Sequence, residues 1–490
     1  MKLSRIIENL PGYVMDQGDL NTEITAVTHD SRTVSEGALF VALKGEHFDG
    51  HSFIPQIMEA GAAALVYEDG SVGLEANFPA IRVTDSRQAL PQLAANFYEH
   101  PERALKLIGI TGTNGKTSSN YFLEHLLNRA GFKAGRVGTT GAAFMDYAHD
   151  LIHTTPESSD LYQLLKEFVK RGADSATLEV SSHALSQNRV DGLDFDAAIF
   201  SNLTQDHLDY HKSFDDYLAA KRQLFLGLRK DAIALINSDD PYAEKMVVEC
   251  PARVITYGFS KTADYQVKQY TFNDQGTQVE LSTPGGEYTI QTNTIGRFNI
   301  YNFISAFSTV LELGGDVQAM IRAAMSLPIV PGRLEKMNYP APFNVFVDYA
   351  HTPDAMSTVL ETLKDAYPDR KLITVFGCGG DRDQGKRPMM GEIATRLSTF
   401  AIITDDNPRT EAPMDIINAI VEGCQGRMNY LAVQDRTLAI HTALERAEPG
   451  DIIAILGKGH EPYQEIMGVR KPLSDMNVIN EFMVKNGYSA

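Results

Sequence analysis

The sequence contains few cysteines, and their arrangement argues against a disulfide framework. Cys250, Cys378 and Cys424 are the three cysteines among the 490 residues, and no two of them have the spacing of a metal-binding pair. An odd set of unpaired thiols is typical of a protein kept in a reducing compartment. The cysteine content therefore predicts a cytoplasmic protein whose thiols serve as small buried hydrophobes.

The sequence also lacks long apolar runs. Nowhere do about 18 apolar residues follow one another, as a membrane-spanning helix requires. The first residues carry Arg5, Glu8 and Asn9 where a secretory signal peptide would need an unbroken apolar stretch. We therefore expect neither a membrane span nor a secretory signal.

Positive charge is scarce as well. The formal net charge is -19, from 44 lysines and arginines against 63 aspartates and glutamates. Such a chain repels polyanions, and no basic run offsets the repulsion locally, so we expect no binding to nucleic acid. Anionic small molecules stay possible because a local pocket can override the overall field.

Length and apolar patterning indicate an α/β protein with about three domains. The chain is longer than one hydrophobic core usually organises, and short apolar runs alternate with amphipathic segments, as in βαβ units. Composition changes near residue 100 and in the proline-containing segment LPIVPGRLE near residue 330. We predict a first domain over 1–100, a central domain over 101–330 and a third over 331–490.

Several apolar runs are predicted strands. In the first domain they are GALFVAL and AALVYE, on either side of the helix FIPQIMEAGA. In the central domain they are LKLIGIT, SATLEV, DAAIFSN and AIALIN, followed by a β-rich stretch from about 253 to 294. In the third domain they are FNVFVDY, KLITVFG, FAIITDD and DIIAILG. Polar loops follow these last strands, and ligands of open α/β sheets bind beyond the carboxyl ends of strands.

The strongest local signal is a phosphate-binding loop between the strand LKLIGIT and the helix TSSNYFLEHLLNRAG. Its residues are Gly112, Thr113, Asn114, Gly115, Lys116 and Thr117. Glycines let backbone N–H groups close around phosphate oxygens, Lys116 can neutralise phosphates, and Thr117 can ligate magnesium. Ile110 stands where the common pattern has glycine, so the loop is a variant form.

Two further residues are candidates for a metal site beside this loop. Glu179 ends the strand SATLEV, and His207 lies in QDHLDYH after the strand DAAIFSN. Together they can hold a metal that bridges a nucleotide phosphate and an acceptor carboxylate, although each alone is equally typical of a solvated or helix-capping residue. Lys221, in YLAAKRQLF, is by its local sequence a surface lysine of a helix.

Taken together, the motifs resemble those of the Mur ligase family. In chain order they are GTNGKT, EVSSH, DHLDYH, GRFN, PGRLE, DYAHTP and DNPR, and the likeness covers nearly the whole chain. The resemblance implies an N-terminal UDP-binding domain, a central P-loop ATPase-like domain with a parallel sheet, and a C-terminal Rossmann-like domain. It also implies ATP-dependent ligation of meso-2,6-diaminopimelate to UDP-N-acetylmuramoyl-L-alanyl-D-glutamate through an acyl phosphate, in peptidoglycan precursor synthesis.

The resemblance assigns residues to ATP and Mg²⁺. It implies catalytic roles for Lys116, Glu179, His207 and Lys221. Thr117, Glu179 and His207 would lie near magnesium, and Lys221 would be carbamylated to act as a carboxylate-like metal contact. Residues implied to contact the base or ribose are Asn299, Arg333 and Asp348.

The resemblance also assigns residues to the other two substrates. For the UDP-sugar dipeptide they are His29, Ser31, Glu46, His47, Phe48, Thr154, Thr155, Ser181, Gln187 and Arg189, of which Arg189 would pair with a substrate carboxylate. For diaminopimelate they are Arg382, Asp406, Asn407, Pro408, Arg409, Gly457 and Glu461. Diaminopimelate differs from lysine by one distal carboxylate, which the arginine fork of Arg409 can bind bidentately.

Other interpretations remain open. The segment HDSR can be an ordinary capped turn, and GCGGDRDQGKR can be a second phosphate loop. A lysine-adding ligase of the same family and a folylpolyglutamate synthase share the phosphate loop, but the DNPR and DSR segments argue against both. A P-loop regulatory NTPase would need a macromolecular partner, whereas the loops of the third domain favour small molecules. We expect a monomer.

Overall fold

The computed structural model describes residues 1–45, 49–68, 74, 77–204, 206, 210–273 and 275–488. Within these residues the chain forms three mainly parallel sheets covered by helices, and a separate β-hairpin, which confirms the α/β class. The helices are α1 (Leu3–Ile6), α2 (Ile54–Glu59), α3 (Ser86–Phe97), α4 (Lys116–Arg129), α5 (Ser158–Lys170), α6 (Ser182–Ser186), α7 (Phe214–Leu226), α8 (Ala243–Val247), α9 (Arg297–Glu312), α10 (Val317–Ala323), α11 (Pro353–Ala366), α12 (Lys386–Leu397), α13 (Pro413–Glu422), α14 (Arg436–Arg446) and α15 (Asp475–Lys485). Short 3-10 turns span Gly50–Phe53, Pro101–Ala104 and Ala324–Ser326.

The first sheet is parallel except at one edge. Its strands are β1 (Val14–Gln17), β2 (Ala26–Thr28), β3 (Ala38–Val41), β4 (Ala64–Tyr67) and β5 (Ala80–Arg82), in the spatial order β1-β5-β4-β3-β2. β1 runs antiparallel to β5. β3 and β4 are buried along their whole length, because α1 and α3 pack on one face and α2 packs on the other. The strands and the helix predicted here are confirmed.

The second sheet is the largest and carries the phosphate loop. Its strands are β6 (Lys106–Thr111), β7 (Ala134–Gly138), β8 (Gly141–Phe144), β9 (Tyr147–His149), β10 (Ser175–Glu179), β11 (Ala197–Phe200), β12 (Ile233–Asn237), β13 (Arg253–Gly258), β14 (Tyr265–Asn273), β15 (Gly276–Thr283) and β16 (Gly286–Thr292). Their spatial order is β16-β15-β14-β13-β12-β11-β6-β10-β7-β8-β9. In this spatial order, neighbouring strands from β14 through to β7 pair in parallel. Antiparallel strands extend the sheet at both ends.

The apolar run of β6 is explained by burial on both faces of the sheet. Leu107 packs with α5 and α7 on one side. Ile108 and Ile110 pack with α4 and α9 on the other. Because successive side chains of a strand point to opposite faces, a strand covered on both sides needs an unbroken apolar sequence. This placement puts the carboxyl end of β6 at the edge where the phosphate loop begins.

The third sheet is covered by helices on both faces. Its strands are β17 (Glu335–Lys336), β18 (Asn344–Asp348), β19 (Leu372–Phe376), β20 (Phe400–Ile403), β21 (Tyr430–Ala432) and β22 (Ile452–Leu456), in the spatial order β17-β18-β22-β19-β20-β21. The hairpin strands are β23 (Tyr463–Ile466) and β24 (Val469–Pro472). α11, α12 and α13 pack on one face of the sheet, and α14 and α15 pack on the other.

The strands predicted for the central and third domains are confirmed. The predicted domain boundaries near residues 100 and 330 fall between the sheets and stay a prediction. In the part of the chain that the structure describes, no helix is long and apolar enough to span a bilayer.

Candidate active site

The phosphate loop between β6 and α4 needs glycine at two positions. Gly112 and Gly115 have φ angles of +150° and +86°, a range that side chains other than glycine adopt rarely. A Cβ atom at Gly112 would lie 1.9 Å from Ser201 Oγ, and one at Gly115 would lie 2.4 Å from Asn302 Oδ1. The backbone therefore packs closely against its surroundings and leaves the N-terminus of α4 facing the cavity described below, as a phosphate site requires.

Two lysines bind the same carbonyl group of this loop. Lys116 Nζ donates to Gly112 O at 2.9 Å and to Thr113 O at 2.8 Å, and Lys221 Nζ donates to Gly112 O at 2.8 Å. Burial lowers the pKa of Lys116, and the charge of Glu179 acts in the opposite direction. Burial lowers the pKa of Lys221 well below 10.5, and the positive charge of Lys116 lowers it further.

The local expectation that Lys221 is a surface lysine is wrong. Lys221 is 1% exposed, because α7 packs its Leu224 and Phe225 side against the core of the second sheet. Its Nζ lies 4.6 Å from the centre of the Tyr217 ring, whose hydroxyl is 3.1 Å from Thr113 Oγ1. The buried face of α7 thus places the amine of Lys221 beside the phosphate loop.

This burial predicts that Lys221→Met stabilises the protein while removing the amine. A lysine whose folded-state pKa lies below 10.5 destabilises the fold at every pH below that value, increasingly until the folded-state pKa is reached. Methionine carries no charge, and Gly112 O keeps its hydrogen bond from Lys116. We expect a higher free energy of unfolding at pH 7.5 in bicarbonate-free buffer, with a gain that shrinks toward pH 10.5. Urea unfolding at several pH values measures this; a loss of stability at pH 7.5 would contradict it.

Glu179, at the end of β10, is held by two threonines. Its Oε2 accepts from Thr117 Oγ1 at 2.9 Å and from Thr139 Oγ1 at 3.0 Å, and its Oε1 accepts from Thr139 N at 2.9 Å. A Cβ atom at Gly138 would lie 2.1 Å from Oε1. Thr139 was not among the predicted site residues. Its position directly after β7, which pairs with β10, is the signal that could have found it.

The oxygen atoms of Thr117 and Glu179 are the kind of ligands that Mg²⁺ prefers. They lie next to the N-terminus of α4, where a nucleotide phosphate would complete a coordination shell. His207, the histidine predicted for this site, lies outside the described residues. Among the residues described, no group of three or more His, Cys, Asp or Glu side chains has a geometry that could hold a metal ion.

Part of the predicted dipeptide site lies beside Glu179. Thr154 Oγ1 is 3.1 Å from Thr139 Oγ1. Thr155 Oγ1 donates to Glu179 O at 2.8 Å and accepts from Ser181 N at 3.1 Å. Ser181 Oγ also caps α6 by accepting from Ala184 N. Thr154, Thr155 and Ser181 are thus linked to the same strand end that carries Glu179.

Arg189 is engaged by protein groups in this structure. Its Nε lies 3.1 Å from Glu157 Oε1, and it donates to Thr155 O at 2.8 Å and to Gln187 Oε1 at 2.7 Å. Arg87, from α3, lies 3.4 Å from the same Glu157 oxygen. The predicted pairing of Arg189 with a substrate carboxylate stays a prediction and would require exchange with Glu157.

The dipeptide residues predicted in the first domain are only partly described. His29 Nδ1 lies 3.0 Å from Ser159 Oγ in α5, which brings this segment to the second sheet. Ser31 is half-buried between Asp30 and Arg32, which form an ion pair. Outside the described residues lie Glu46, His47 and Phe48.

One cavity of about 580 Å³ joins the phosphate loop to the third domain; we call it the central cavity. Predicted residues that line it are Thr113, Asn114, Gly115, Lys116, Thr117, Thr154, Glu179, Ser181, Lys221, Arg333, Arg382, Asp406, Asn407, Arg409, Gly457 and Glu461. Asn114 Nδ2 donates to Asp354 Oδ2 of α11 at 3.2 Å, so the loop contacts the third domain directly. Among the described residues, the predicted site residues that do not line the central cavity are Gly112, His29, Ser31, Thr155, Gln187, Arg189, Asn299, Asp348 and Pro408.

A second cavity of about 640 Å³ adjoins it; we call it the flanking cavity. Asn299 and Arg333 line it, and Arg333 also lines the central cavity. Arg333 Nη2 is 3.4 Å from Thr117 Oγ1. Asp348 accepts backbone hydrogen bonds from Leu334 N at 2.6 Å and Ala350 N at 2.7 Å, and its burial raises its pKa. In this structure Asp348 therefore fixes the backbone directly after Arg333 through its hydrogen bond from Leu334 N.

Arg409 is held in a left-handed conformation by the β-hairpin. Its φ is +52°, its N–H donates to Glu465 O at 3.0 Å, and its carbonyl accepts from Met467 N at 2.6 Å. Arg409 Nη1 donates to Gly380 O at 2.7 Å. The hairpin thus fixes the direction in which the guanidinium enters the central cavity.

Two acidic residues, Asp406 and Glu461, also line the central cavity. Asn407 Nδ2 and Lys458 Nζ both donate to Glu461 Oε2, at 2.9 Å and 3.0 Å. Asp406 Oδ2 is buried without a hydrogen-bond partner among the described residues. A Cβ atom at Gly457 would lie 2.6 Å from this oxygen. A buried carboxylate oxygen that lacks a donor is suited to bind an ammonium group.

The loop that contains Gly380 lies close to the loop that contains Pro408, and this predicts that Gly380→Ala is destabilising. A Cβ atom at Gly380 would lie 2.0 Å from Pro408 O, so the loop before Arg409 must shift. We expect the free energy of unfolding to fall by about 1–3 kcal/mol, measured by thermal unfolding. Gly285→Ala is the matched control, because its nearest neighbour would lie 3.8 Å away. Equal stability of the two variants would contradict the packing argument.

Comparison with known proteins places this chain in one family. Three family models match the chain in order: "Mur ligase family, catalytic domain" over 23–98, "Mur ligase middle domain" over 110–310, and "Mur ligase, glutamate ligase domain" over 332–459. The UDP-N-acetylmuramoyl-L-alanyl-D-glutamate–2,6-diaminopimelate ligases of Bacillus velezensis and Geobacillus thermodenitrificans are 42% and 41% identical to this chain. The first match covers 99% of both chains, and the second covers 95% of this chain and 96% of the relative. A solved structure of an enzyme with the same name has 33% identity and a TM-score of 0.69 over 100% of both chains. The chain therefore belongs to the Mur ligase family.

Proposed function

We propose that this protein joins an amine of meso-2,6-diaminopimelate to the D-glutamate side chain of UDP-N-acetylmuramoyl-L-alanyl-D-glutamate, with ATP as the energy source. The products are the amide-linked tripeptide precursor of peptidoglycan, ADP and phosphate. The observation that carries the proposal is the central cavity, where the phosphate loop faces Arg409, Asp406 and Glu461. The names of the relatives at 41–42% identity support the choice of substrates.

The need for ATP follows from the chemistry of the acceptor. A carboxylate does not react with an amine until one of its oxygens belongs to a leaving group. Transfer of the terminal phosphoryl group of ATP to that oxygen gives an acyl phosphate and ADP. The amine then adds to the carbonyl carbon, loses a proton, and the tetrahedral intermediate collapses with departure of phosphate.

The phosphate loop supplies the positive charge for these steps. We assign Lys116 and the N-terminus of α4 to the nucleotide phosphates. In this structure Lys116 donates hydrogen bonds to two loop carbonyls, and these hydrogen bonds must break for it to reach a phosphate. We assign the nucleotide base to the flanking cavity, because Asn299 lines it and Arg333 lines both cavities.

Mg²⁺ is the proposed metal. Thr117 and Glu179 would hold it, together with His207 and the modified Lys221. When bound, the ion would neutralise charge on the phosphates and on the acceptor carboxylate. Thr139 donates two hydrogen bonds to Glu179, and so orients the carboxylate.

Carbamylation of Lys221 is the proposed modification, and its burial favours that reaction. Because burial lowers the pKa of Lys221, more of the amine is neutral and its nitrogen lone pair is available. Attack of this lone pair on CO₂ forms an N–C bond and releases one proton. The resulting carboxylate would be a second acidic group beside the phosphate loop.

Diaminopimelate would bind through a carboxylate and an ammonium group. We assign one carboxylate to the guanidinium of Arg409, with Arg382 lining the same cavity, and an ammonium group to Asp406 and Glu461. On the acceptor side, Thr154 and Ser181 line the cavity at the phosphate loop. The expectations of a monomer in the cytoplasm remain predictions.

Isotope transfer tests the proposed chemistry. With ¹⁸O in the D-glutamate side-chain carboxylate, the acyl phosphate predicts one ¹⁸O atom in each released phosphate, read by mass spectrometry. A regulatory NTPase would hydrolyse ATP with solvent oxygen and give unlabelled phosphate in normal water. Unlabelled phosphate formed together with amide product would contradict the acyl phosphate and keep the ligase.

A further inference from the structure

Arg436 and Asp475 form an ion pair in the interior of the third domain. Arg436 Nε donates to Asp475 Oδ1 at 2.7 Å, and Arg436 Nη2 donates to Asp475 Oδ2 at 2.6 Å. Both side chains have no exposed surface. Arg436 begins α14 and Asp475 begins α15, so the pair joins the N-terminal ends of the two helices that cover one face of the sheet.

The remaining donors of Arg436 reach two strand ends. Nη1 donates to Asp405 O at 3.2 Å, just after β20, and Nη2 donates to Leu456 O at 3.0 Å, at the end of β22. These strands lie on either side of β19. The residues that follow are Asp406 and Gly457, where the two loops of the candidate amino-acid site begin.

Fold stability alone does not explain this pair. Removing two charges from water is costly, and replacing a buried ion pair with well-packed apolar residues is often neutral or stabilising. The guanidinium instead satisfies two carbonyl groups at fixed separation, which an apolar side chain cannot do. Its charge also interacts favourably with Asp406 and Glu461, the two carboxylates assigned to an ammonium group.

We propose that Arg436, held by Asp475, is a positioning residue that sets the spacing between the Asp406–Arg409 loop and the Gly457–Glu461 loop. It touches no substrate and acts through two backbone carbonyls. The inference rests on the proposed function, because it assigns these loops to the incoming amino acid. It predicts that loss of Arg436 weakens amino-acid binding and leaves the nucleotide site intact.

The test is the double variant Arg436→Met/Asp475→Leu, which removes both charges and leaves no unpaired ion. We expect the KM for diaminopimelate to rise by about tenfold to a hundredfold, with unchanged KM for ATP and for the UDP-linked substrate. Arg436→Lys keeps the charge and one donor group, so it should show a smaller rise. Circular dichroism and thermal unfolding establish that each variant is folded.

Met483→Ala is the matched control, since Met483 lies fully buried on α15 but in the apolar core. It should lower stability and leave all three KM values unchanged. An unchanged KM for diaminopimelate in the folded double variant overturns the proposal, and so does an equal rise in Met483→Ala. If the wild-type enzyme uses lysine instead, the proposed substrate is wrong, and the same KM split measured with lysine still supports the role of Arg436.

Discussion

Replacing Lys221 with alanine is expected to lower kcat by about a thousandfold, and a short carboxylic acid is expected to restore part of the activity. The amine is buried beside the phosphate loop, bonded to Gly112 O, and burial lowers its pKa. A carbamate on this nitrogen would place a carboxylate next to Lys116. Alanine leaves a space at that position which acetate or formate can enter.

The measurement is kcat of wild type and Lys221→Ala across a series of acetate concentrations. Lys166→Ala is the control, because Lys166 pairs with Glu99 at the protein surface and should keep full activity without acetate. A Lys221→Ala variant with near-normal kcat would contradict the catalytic role. An inactive variant that no carboxylic acid restores would argue for a role of the amine itself.

Arg409→Ala is expected to raise the KM for diaminopimelate far more than the KM for ATP. A charge-assisted hydrogen bond in a buried site contributes about 1.5–3 kcal/mol, which corresponds to roughly tenfold to a few hundredfold in KM. Arg409→Lys should recover little of this loss. Its single ammonium cannot reproduce a bidentate fork, and the hairpin fixes the backbone at φ +52°.

Arg470→Ala provides the comparison for this experiment. Arg470 is exposed on the β-hairpin that contacts Arg409, and it pairs with Glu465. Its loss should therefore leave the KM for ATP and the KM for diaminopimelate near the wild-type values. Equal increases in the KM for ATP and for diaminopimelate in Arg409→Ala would contradict the assignment of Arg409 to the amino acid.

The sequence predicted the elements whose signals are local. The strand Lys106–Thr111 contains an unbroken apolar run from Leu107 to Ile110 because helices cover both faces, and a Cβ atom at Gly112 or Gly115 in the following loop would clash with its surroundings. Gly131, the last residue of the predicted helix segment TSSNYFLEHLLNRAG, has φ +102° just beyond Ala130, where the helix ends. In each case the signal that allows the prediction lies in neighbouring residues of the sequence.

Features that depend on tertiary packing could not be predicted in the same way. Lys221 has the local sequence of a surface lysine, and its burial depends on which face of its helix meets the sheet. Thr139 reaches Glu179 because their strands are spatial neighbours although 40 residues separate them. Arg436 is an ordinary helix residue in sequence, and it gains its contacts when two strand ends and two helices meet.

The most direct test of the proposed ligase activity is phosphate release from ATP with UDP-N-acetylmuramoyl-L-alanyl-D-glutamate as acceptor. Meso-diaminopimelate, L-lysine and no amino acid are compared in parallel assays. We expect release that depends on diaminopimelate and is much weaker with lysine. Release that is equally fast without any amino acid would contradict amide ligation by this protein.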